Sequence, residues 1–332
     1  MNREVGIVVT GVAPGSLGEA LAIALCRRHP ETKIVAIDLM ANPALADFSN
    51  VYSLGLDLNP ISPSQDCPKL ATRIAAEIDL ALQRFELKGI GAAILAAGVY
   101  ESGPLVEITL EARQSLVGIN VCGKLEVLHA VLEFNQRNGF ASREALTFID
   151  IGSLHGLTSS AGRPLYAATK AFGLDLCISM RRGGEVCRAI YAAPGQIDTP
   201  MLHRNHWVSK ERGSPEFFKH VRSLGTVRYR DIFVECDDSA FREVVSTSGL
   251  EPRELNQTFS RYKLLRSQGF ERADGILCPV ELADHLVRIL GDAAVHQEGV
   301  YMFSAPKRQL EMRHLSFNEV RPEIGVSVSS TG

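Results

Sequence analysis

No CxxC pair occurs among the seven cysteines (Cys26, Cys67, Cys122, Cys177, Cys187, Cys236 and Cys278), so neither a zinc site nor a disulfide frame is indicated. Their odd number and wide spacing fit a reduced cytosolic protein in which most thiols act as small core hydrophobes. Positive charge is not in surplus either. The formal net charge of -3 over 332 residues gives no electrostatic case for a nucleic-acid or anionic-membrane partner. No uninterrupted apolar run reaches the length of a membrane span. The opening Met1-Asn2-Arg3-Glu4 passes at once into an apolar strand pattern, without a signal-peptide layout, so a cytoplasmic location is expected. Internal repeats and low-complexity tracts are absent too. What remains is ordinary globular composition, 45% hydrophobic and 22% charged, enough for one large domain or two small ones.

Apolar strands and amphipathic helices alternate along the chain. Strand patterns fall at 5–10, 33–38, 51–56, 91–97, 146–151, 186–193 and 299–303, and a Gly-rich turn follows the first. Helical spacing recurs through Leu17, Leu21, Ala24 and Leu25, then at 71–87, 110–138, 165–182 and 279–290. Arg181 and Arg182 suit the negative end of the 165–182 helix, and Gly183-Gly184 suits its stop. Unbroken apolar strands separated by helices imply a parallel sheet covered on both faces. Two segments leave this rhythm. Residues 200–274 mix charges of both signs with Trp207, Phe217, Phe218, Tyr229, Phe233, Phe241, Phe259 and Tyr262, which suggests a mostly helical lid over the sheet's C-terminal edge. Residues 306–332 read as a tail, with disorder expected over 327–332. The expected division is one domain over 1–305, including the 200–274 insertion, followed by that tail.

Chemistry concentrates in Tyr166-Ala167-Ala168-Thr169-Lys170, with Ser153 thirteen residues upstream. One helical turn puts Tyr166 and Lys170 on a common face. A free phenol titrates near ~10, too high for proton exchange at neutral pH, and an adjacent ammonium lowers that value by favouring the phenolate. A serine hydroxyl can hold the substrate oxygen, so the three groups together could move a proton to or from an alcohol or carbonyl. The turn Thr10-Gly11-Val12-Ala13-Pro14-Gly15-Ser16-Leu17-Gly18 joins a strand to a helix N-terminus, where glycines let the backbone approach a pyrophosphate. Asp38 closes the second strand, where a carboxylate accepts hydrogen bonds from a ribose diol and repels a 2′-phosphate. Its neighbours Ile37, Leu39 and Met40 include no cation to receive a phosphate, which favours NAD over NADP.

Over about residues 5–200 the chain resembles the short-chain dehydrogenase/reductase family. The resemblance is carried by Thr10-Gly11…Gly18, Asp38, Asp57, Ala97-Gly98, Asn120, Ser153, Tyr166-x-x-x-Lys170 and Pro194-Gly195-x-x-x-Thr199, all in the expected order. It implies a Rossmann-type, doubly wound α/β sheet of about seven strands with an enlarged lid. It also implies catalytic roles for Asn120, Ser153, Tyr166 and Lys170. Asn120 would hold a water in a proton relay, Ser153 would orient the substrate oxygen, Lys170 would tune Tyr166, and Tyr166 would be the general acid or base. Cofactor contacts would come from Gly11, Ser16, Leu17 and Gly18 at the phosphates, and from Asp38 at the ribose. Asp57 would meet the adenine, while Ala97 and Gly98 would lie along the cofactor. Tyr166 and Lys170 would meet the nicotinamide ribose, with Pro194, Gly195, Ile197 and Thr199 around the nicotinamide. No metal is implied.

Three departures stand out. The glycine turn is one residue longer than the family's, so Gly15 or Ser16 takes the second glycine's place. Ala96-Ala97-Gly98 keeps only the last two residues of the usual Asn-Asn-Ala-Gly. The C-terminal strand lacks the glycine-terminated ending of tetrameric members. His155 reads as a loop residue near the pocket mouth without a role.

The expected function is NAD(H)-dependent interconversion of a secondary alcohol and a ketone on a mid-sized, partly apolar metabolite. The rivals are an NAD-retaining epimerase or dehydratase and a non-enzymatic NAD-sensing binding protein. A homodimer or homotetramer is expected by family analogy, with the helices around 116–134 and 165–180 at the interface.

Overall fold

A computed structural model describes residues 5–61, 70–158, 162–202, 233–234, 271–272, 276–292, 297–306 and 309–321. The strands in chain order are β1 (Val5–Thr10), β2 (Lys33–Asp38), β3 (Val51–Gly55), β4 (Gly89–Leu95), β5 (Thr147–Ile151), β6 (Arg188–Pro194), β7 (Phe233–Val234), β8 (Glu271–Arg272), β9 (Gly299–Ser304) and β10 (Glu311–Leu315). Eight of them form one sheet in the order β10-β9-β6-β5-β4-β1-β2-β3, and β7 and β8 form a separate antiparallel pair. Every neighbouring pair in the large sheet is parallel except β9 with β10.

The helices are α1 (Leu17–Arg28), α2 (Leu70–Phe85), α3 (Leu110–Val117), α4 (Lys124–Arg137), α5 (Ser142–Ala145), α6 (Pro164–Arg182), α7 (Pro279–Gly291) and α8 (Phe317–Val320). They cover both faces of the sheet, as continuous apolar strands require. Alternate residues of β1 divide between two cores. Val8 joins the one that holds Ile74, Ile78, Val131, Phe134 and Leu174 of α2, α4 and α6. Ile7 and Val9 join the one that holds Leu21, Leu25, Leu286 and Leu290 of α1 and α7. Because β1 pairs with β2 on one side and β4 on the other, the strand order reverses there. Doubly wound sheets bind ligands beyond the carboxyl ends of the strands at such a point.

The element order read from the sequence is the one observed, with two corrections. The first concerns the C-terminal tail, since residues 311–315 form the antiparallel edge strand β10, whose Leu315 and Met312 face Val300 and Phe303 of β9. Ser316 and Glu319 then close a capping box on α8, and Phe317 is buried. The segment Glu-Met-Arg-His-Leu carries no strand periodicity because ladder hydrogen bonds, not burial, hold it, and charged side chains are what an edge tolerates. The second concerns the helical stretch over Leu110–Arg137, which is long and apolar enough to cross a membrane although no uninterrupted apolar run marks it. Half of that window is buried inside the fold, where Val127, Leu128, Val131 and Phe134 belong to the core.

Strand β4 ends at Leu95, two residues short of the pattern, because Ala97 turns its N–H to the Thr10 hydroxyl, 3.0 Å away. Cys26, Cys177 and Cys278 are buried as small hydrophobes, and burial pushes the Cys26 thiol up to about 11. The mostly helical character expected of 200–274, its aromatics apart from Phe233, and the expected disorder at 327–332 lie outside the described residues.

Candidate active site

The glycine turn after β1 is tight for steric reasons. Gly11 has φ +75°, and a Cβ on it would lie 2.5 Å from the Ala97 nitrogen. A Cβ on Gly18 would collide with the Gly11 carbonyl oxygen, so α1 can pack this close to β1 only without a side chain there. The extra residue of the turn is absorbed at Gly15, with φ +80°, and Ser16 becomes the N-cap of α1. The Ser16 hydroxyl donates to the Gly11 carbonyl at 2.7 Å and accepts the Glu19 N–H at 3.1 Å. Ser16, not Gly15, therefore stands at the helix start beside Leu17 and Gly18. The turn has an internal brace that the sequence did not announce. Buried Glu19 accepts from the Gly15 N–H at 2.8 Å and from the Asn42 side chain at 2.8 Å, and Asn42 also donates to the Val12 carbonyl.

Asp38 reaches across from β2 and accepts from the Ala13 N–H and the Leu39 N–H, each at 2.7 Å. Burial pushes its carboxyl above the usual range, and these two N–H groups oppose that shift. Asp57 accepts the Asn59 N–H at 2.9 Å in the turn after β3. The turn Gly11–Gly18, the α1 N-terminus and Asp38 thus form one cradle, closed to side chains where a diphosphate would approach. This fits a dinucleotide.

Across the switch point lie Ser153, Tyr166 and Lys170. Ser153 starts the turn after β5, and its hydroxyl caps His155 N–H at 3.2 Å. Tyr166 and Lys170 stand one turn apart on α6, both buried, with Lys170 Nζ 5.8 Å from the centre of the Tyr166 ring. Lys170 Nζ donates to the Ile151 carbonyl at 3.0 Å. Burial pushes the Tyr166 phenol up. A hydrogen bond from Ser153 opposes this most, followed by the positive charges of Lys124 and Arg163. Burial likewise pushes the Lys170 ammonium down, against the attraction of Asp150.

Asn120 sits in a π-turn, Gly118–Gly123, between α3 and α4. Its amide oxygen accepts the Val99 N–H at 2.8 Å, and its nitrogen donates to the Val99 carbonyl at 2.9 Å and to Thr169 Oγ1 at 3.1 Å. The side chain is thereby a two-way clamp between the loop after β4 and helix α6. Gly98 fits against it, since a Cβ would lie 3.3 Å from Asn120 Oδ1 and 3.4 Å from Lys170 Nζ.

At the end of β6, Pro194 and Gly195 turn beside β9, where Gly195 N–H reaches the Phe303 carbonyl at 3.0 Å. Ile197 bridges to Leu277, and the Thr199 hydroxyl meets the Ile197 carbonyl at 3.4 Å.

Three groups at the site were missed by sequence reasoning. Tyr191, on β6, makes its hydroxyl the centre of a brace: it accepts the Ser153 N–H at 3.1 Å and lies 3.1 Å from the Ser153 carbonyl and 3.0 Å from the Lys170 carbonyl. Gly152 and Gly156 leave it the room, since a Cβ on either would strike the ring or hydroxyl. The only hint in the sequence is a bulky tyrosine within an otherwise small-residue strand end. Tyr191→Phe should leave those polar groups unpaired and cost about 1–3 kcal/mol of stability. Denaturant unfolding would measure this, and an unchanged midpoint would count against the brace.

Arg163 is the second group. It donates to the Tyr100 hydroxyl at 2.5 Å and contacts His155 Nε2 at 2.9 Å, and both rings pack on Tyr166. His155 therefore lies within the site, with burial and Arg163 holding its pKa down. The third is the ion pair of Lys124 with Asp150.

Comparison with known proteins agrees with this geometry. The family model for short chain dehydrogenase matches residues 6–208. An uncharacterized oxidoreductase of Listeria monocytogenes is 24% identical over 227 residues, spanning 64% of this chain and 82% of that protein. A short-chain dehydrogenase/reductase of Pyricularia oryzae is 25% identical over 201 residues, spanning 59% of this chain and 70% of that one. The fold is shared with ligand-free aldohexose dehydrogenase of Thermoplasma acidophilum (TM-score 0.54, 17% identity, 90% of this chain and 92% of that one). It is shared also with a variant of actinorhodin polyketide ketoreductase solved with NADPH (TM-score 0.57, 16% identity, 90% and 96% covered). With its glycine turn, strand order and Ser-Tyr-Lys set in place, the chain belongs to the short-chain dehydrogenase/reductase family of oxidoreductases, which bind nicotinamide cofactors.

Proposed function

We propose that the protein is an NAD(H)-dependent oxidoreductase that interconverts a secondary alcohol and a ketone on a mid-sized, partly apolar metabolite. The observation that carries this reading is the convergence of Ser153, Tyr166 and Lys170 across the switch point from the Gly11–Gly18 cradle and Asp38. The bound cofactor supplies the redox chemistry, and the protein positions and polarises.

Tyr166 moves the proton. Burial keeps it a phenol at neutral pH, the form that donates to a carbonyl oxygen during reduction. Acting as a base on an alcohol requires the phenolate, which Ser153 and the nearby cations favour. The Ser153 hydroxyl aligns the substrate oxygen against Tyr166. Lys170 lies beneath the ring, held by the Ile151 carbonyl, where it would also meet the nicotinamide ribose. Asn120 fixes the loop carrying Gly98 and Val99 against α6.

Asp38 supports NAD over NADP. Its oxygens are already aimed by two backbone N–H groups, and a 2′-phosphate there would face a carboxylate. The expected result is that NADH binds at least tenfold more tightly than NADPH and that Asp38→Ala narrows this gap. Titrating nicotinamide fluorescence measures both, and equal affinities in the wild type would sink the NAD assignment. We further propose a single domain over 1–305 with 200–274 as the substrate lid, a cytoplasmic location, and a homodimer or homotetramer. Small-molecule substrate, not nucleic acid or membrane, is the proposed partner.

A further inference from the structure

Lys124 and Asp150 form an ion pair in the core behind the site, their side chains 3% and 0% exposed. Apart from each other, neither charged end has a hydrogen-bond partner among the described residues. Helix α6 makes room for them at Gly173, where a Cβ would overlap Asp150 Oδ2 and lie 2.9 Å from Lys124 Nζ. Gly173 is three residues from Lys170, on the same face of the helix. The pair thus lies against the turn of α6 that follows the lysine of the site. Stability alone gives no reason for it, because an apolar pair of similar volume serves a core as well or better.

We propose that Lys124 and Asp150 are positioning residues that hold the Tyr166–Lys170 couple in its working charge state, Asp150 keeping Lys170 an ammonium and Lys124 favouring the Tyr166 phenolate. This rests on the reading of Tyr166 as the proton-transfer group. Each buried charge opposes the effect of burial on one partner: Asp150 supports the Lys170 cation, and Lys124 supports the Tyr166 anion more strongly than Asp150 opposes it. The other titratable groups around Tyr166 divide simply. From the loop after β5, His155 is held toward neutrality, and from the loop after β4 comes the Tyr100 phenol. Burial keeps the Tyr191 hydroxyl of β6 and the Cys177 thiol of α6 protonated. Among the described residues the remaining cation acting on Tyr166 is Arg163, bonded to the Tyr100 hydroxyl.

The test is an alkaline difference titration of phenolate absorbance, taking each protein minus the same protein carrying Tyr166→Phe, so that only Tyr166 is read. The background variant is Lys124→Met/Asp150→Val, which removes both charges together and preserves the packing. The Tyr166 midpoint should rise, by the excess of the Lys124 effect over that of Asp150, leaving at least about twofold less phenolate at a fixed pH below it. Lys124→Gln, read the same way, gives the same direction and serves if the double variant fails to fold. Superimposable curves would overturn the proposal. So would a wild type that forms no Tyr166 phenolate before the fold is lost, since the pair would then not be sustaining one. The titration needs no turnover, so it fails or succeeds separately from the assignment of Tyr166 to catalysis, which Tyr166→Phe kinetics decide.

Discussion

Tyr166→Phe should lower turnover by about a thousandfold and leave cofactor affinity within a few-fold of the wild type. The ring keeps its contacts with Tyr100 and His155, so packing is retained. Only the hydroxyl is lost, and with it the proton donor, an effect worth 10²–10⁴ in general acid–base catalysis. Steady-state kinetics beside a nicotinamide fluorescence titration separate the two quantities. A variant that binds cofactor and still turns over at the wild-type rate would remove Tyr166 from the mechanism. Cofactor binding without turnover in the wild type itself would instead favour the rival in which the fold only binds the nucleotide.

The second large effect concerns stability. Asp150→Val should destabilise the protein by about 3–5 kcal/mol, because it leaves the Lys124 ammonium buried without its counter-charge. Lys124→Met should cost a similar amount for the converse reason. The double variant Lys124→Met/Asp150→Val should recover most of the loss, since apolar groups of similar volume suit the space under Gly173. Equilibrium unfolding of the four proteins closes a double-mutant cycle. Additive losses in the double variant would mean that the two side chains do not act as a pair.

The contrast between these two predictions reflects what a sequence makes visible. Tyr166 and Lys170 are separated by one helical turn, so their proximity follows from local geometry. The glycines at 11 and 18 betray themselves because only glycine fits a backbone approach of that kind. The strands β1, β2, β4, β5, β6 and β9 were legible because both faces are largely buried and their apolar runs are continuous. Strand β10 was not, since it is held by ladder bonds along one edge and its side chains are largely polar.

Long-range side-chain partners leave no periodic trace. Lys124 and Asp150 are 26 positions apart, and each alone reads as a surface residue of a helix and a strand. Room for them comes from the missing side chain at Gly173 on another helix, which is not a local propensity. Tyr191 shows the same limit: its role depends on glycines at 152 and 156 that lie on another segment. Asn120 lies between these cases. Its place at the site follows from the resemblance, while the clamp on Val99 and Thr169 emerges only from the fold.

The central claim is that Tyr166 supplies a proton while a bound nicotinamide reduces a carbonyl carbon at this site. Isotope transfer tests it most directly. The protein is incubated with NADH deuterated at C4 and a panel of cyclic and aliphatic ketones, and the product alcohols are analysed by mass spectrometry. The account expects deuterium on the carbinol carbon, transferred from one face of the cofactor, with stoichiometric NAD formed and the label lost in Tyr166→Phe. Product isomerised or dehydrated with no net cofactor oxidation, or carbinol carbon labelled from solvent instead, would contradict it.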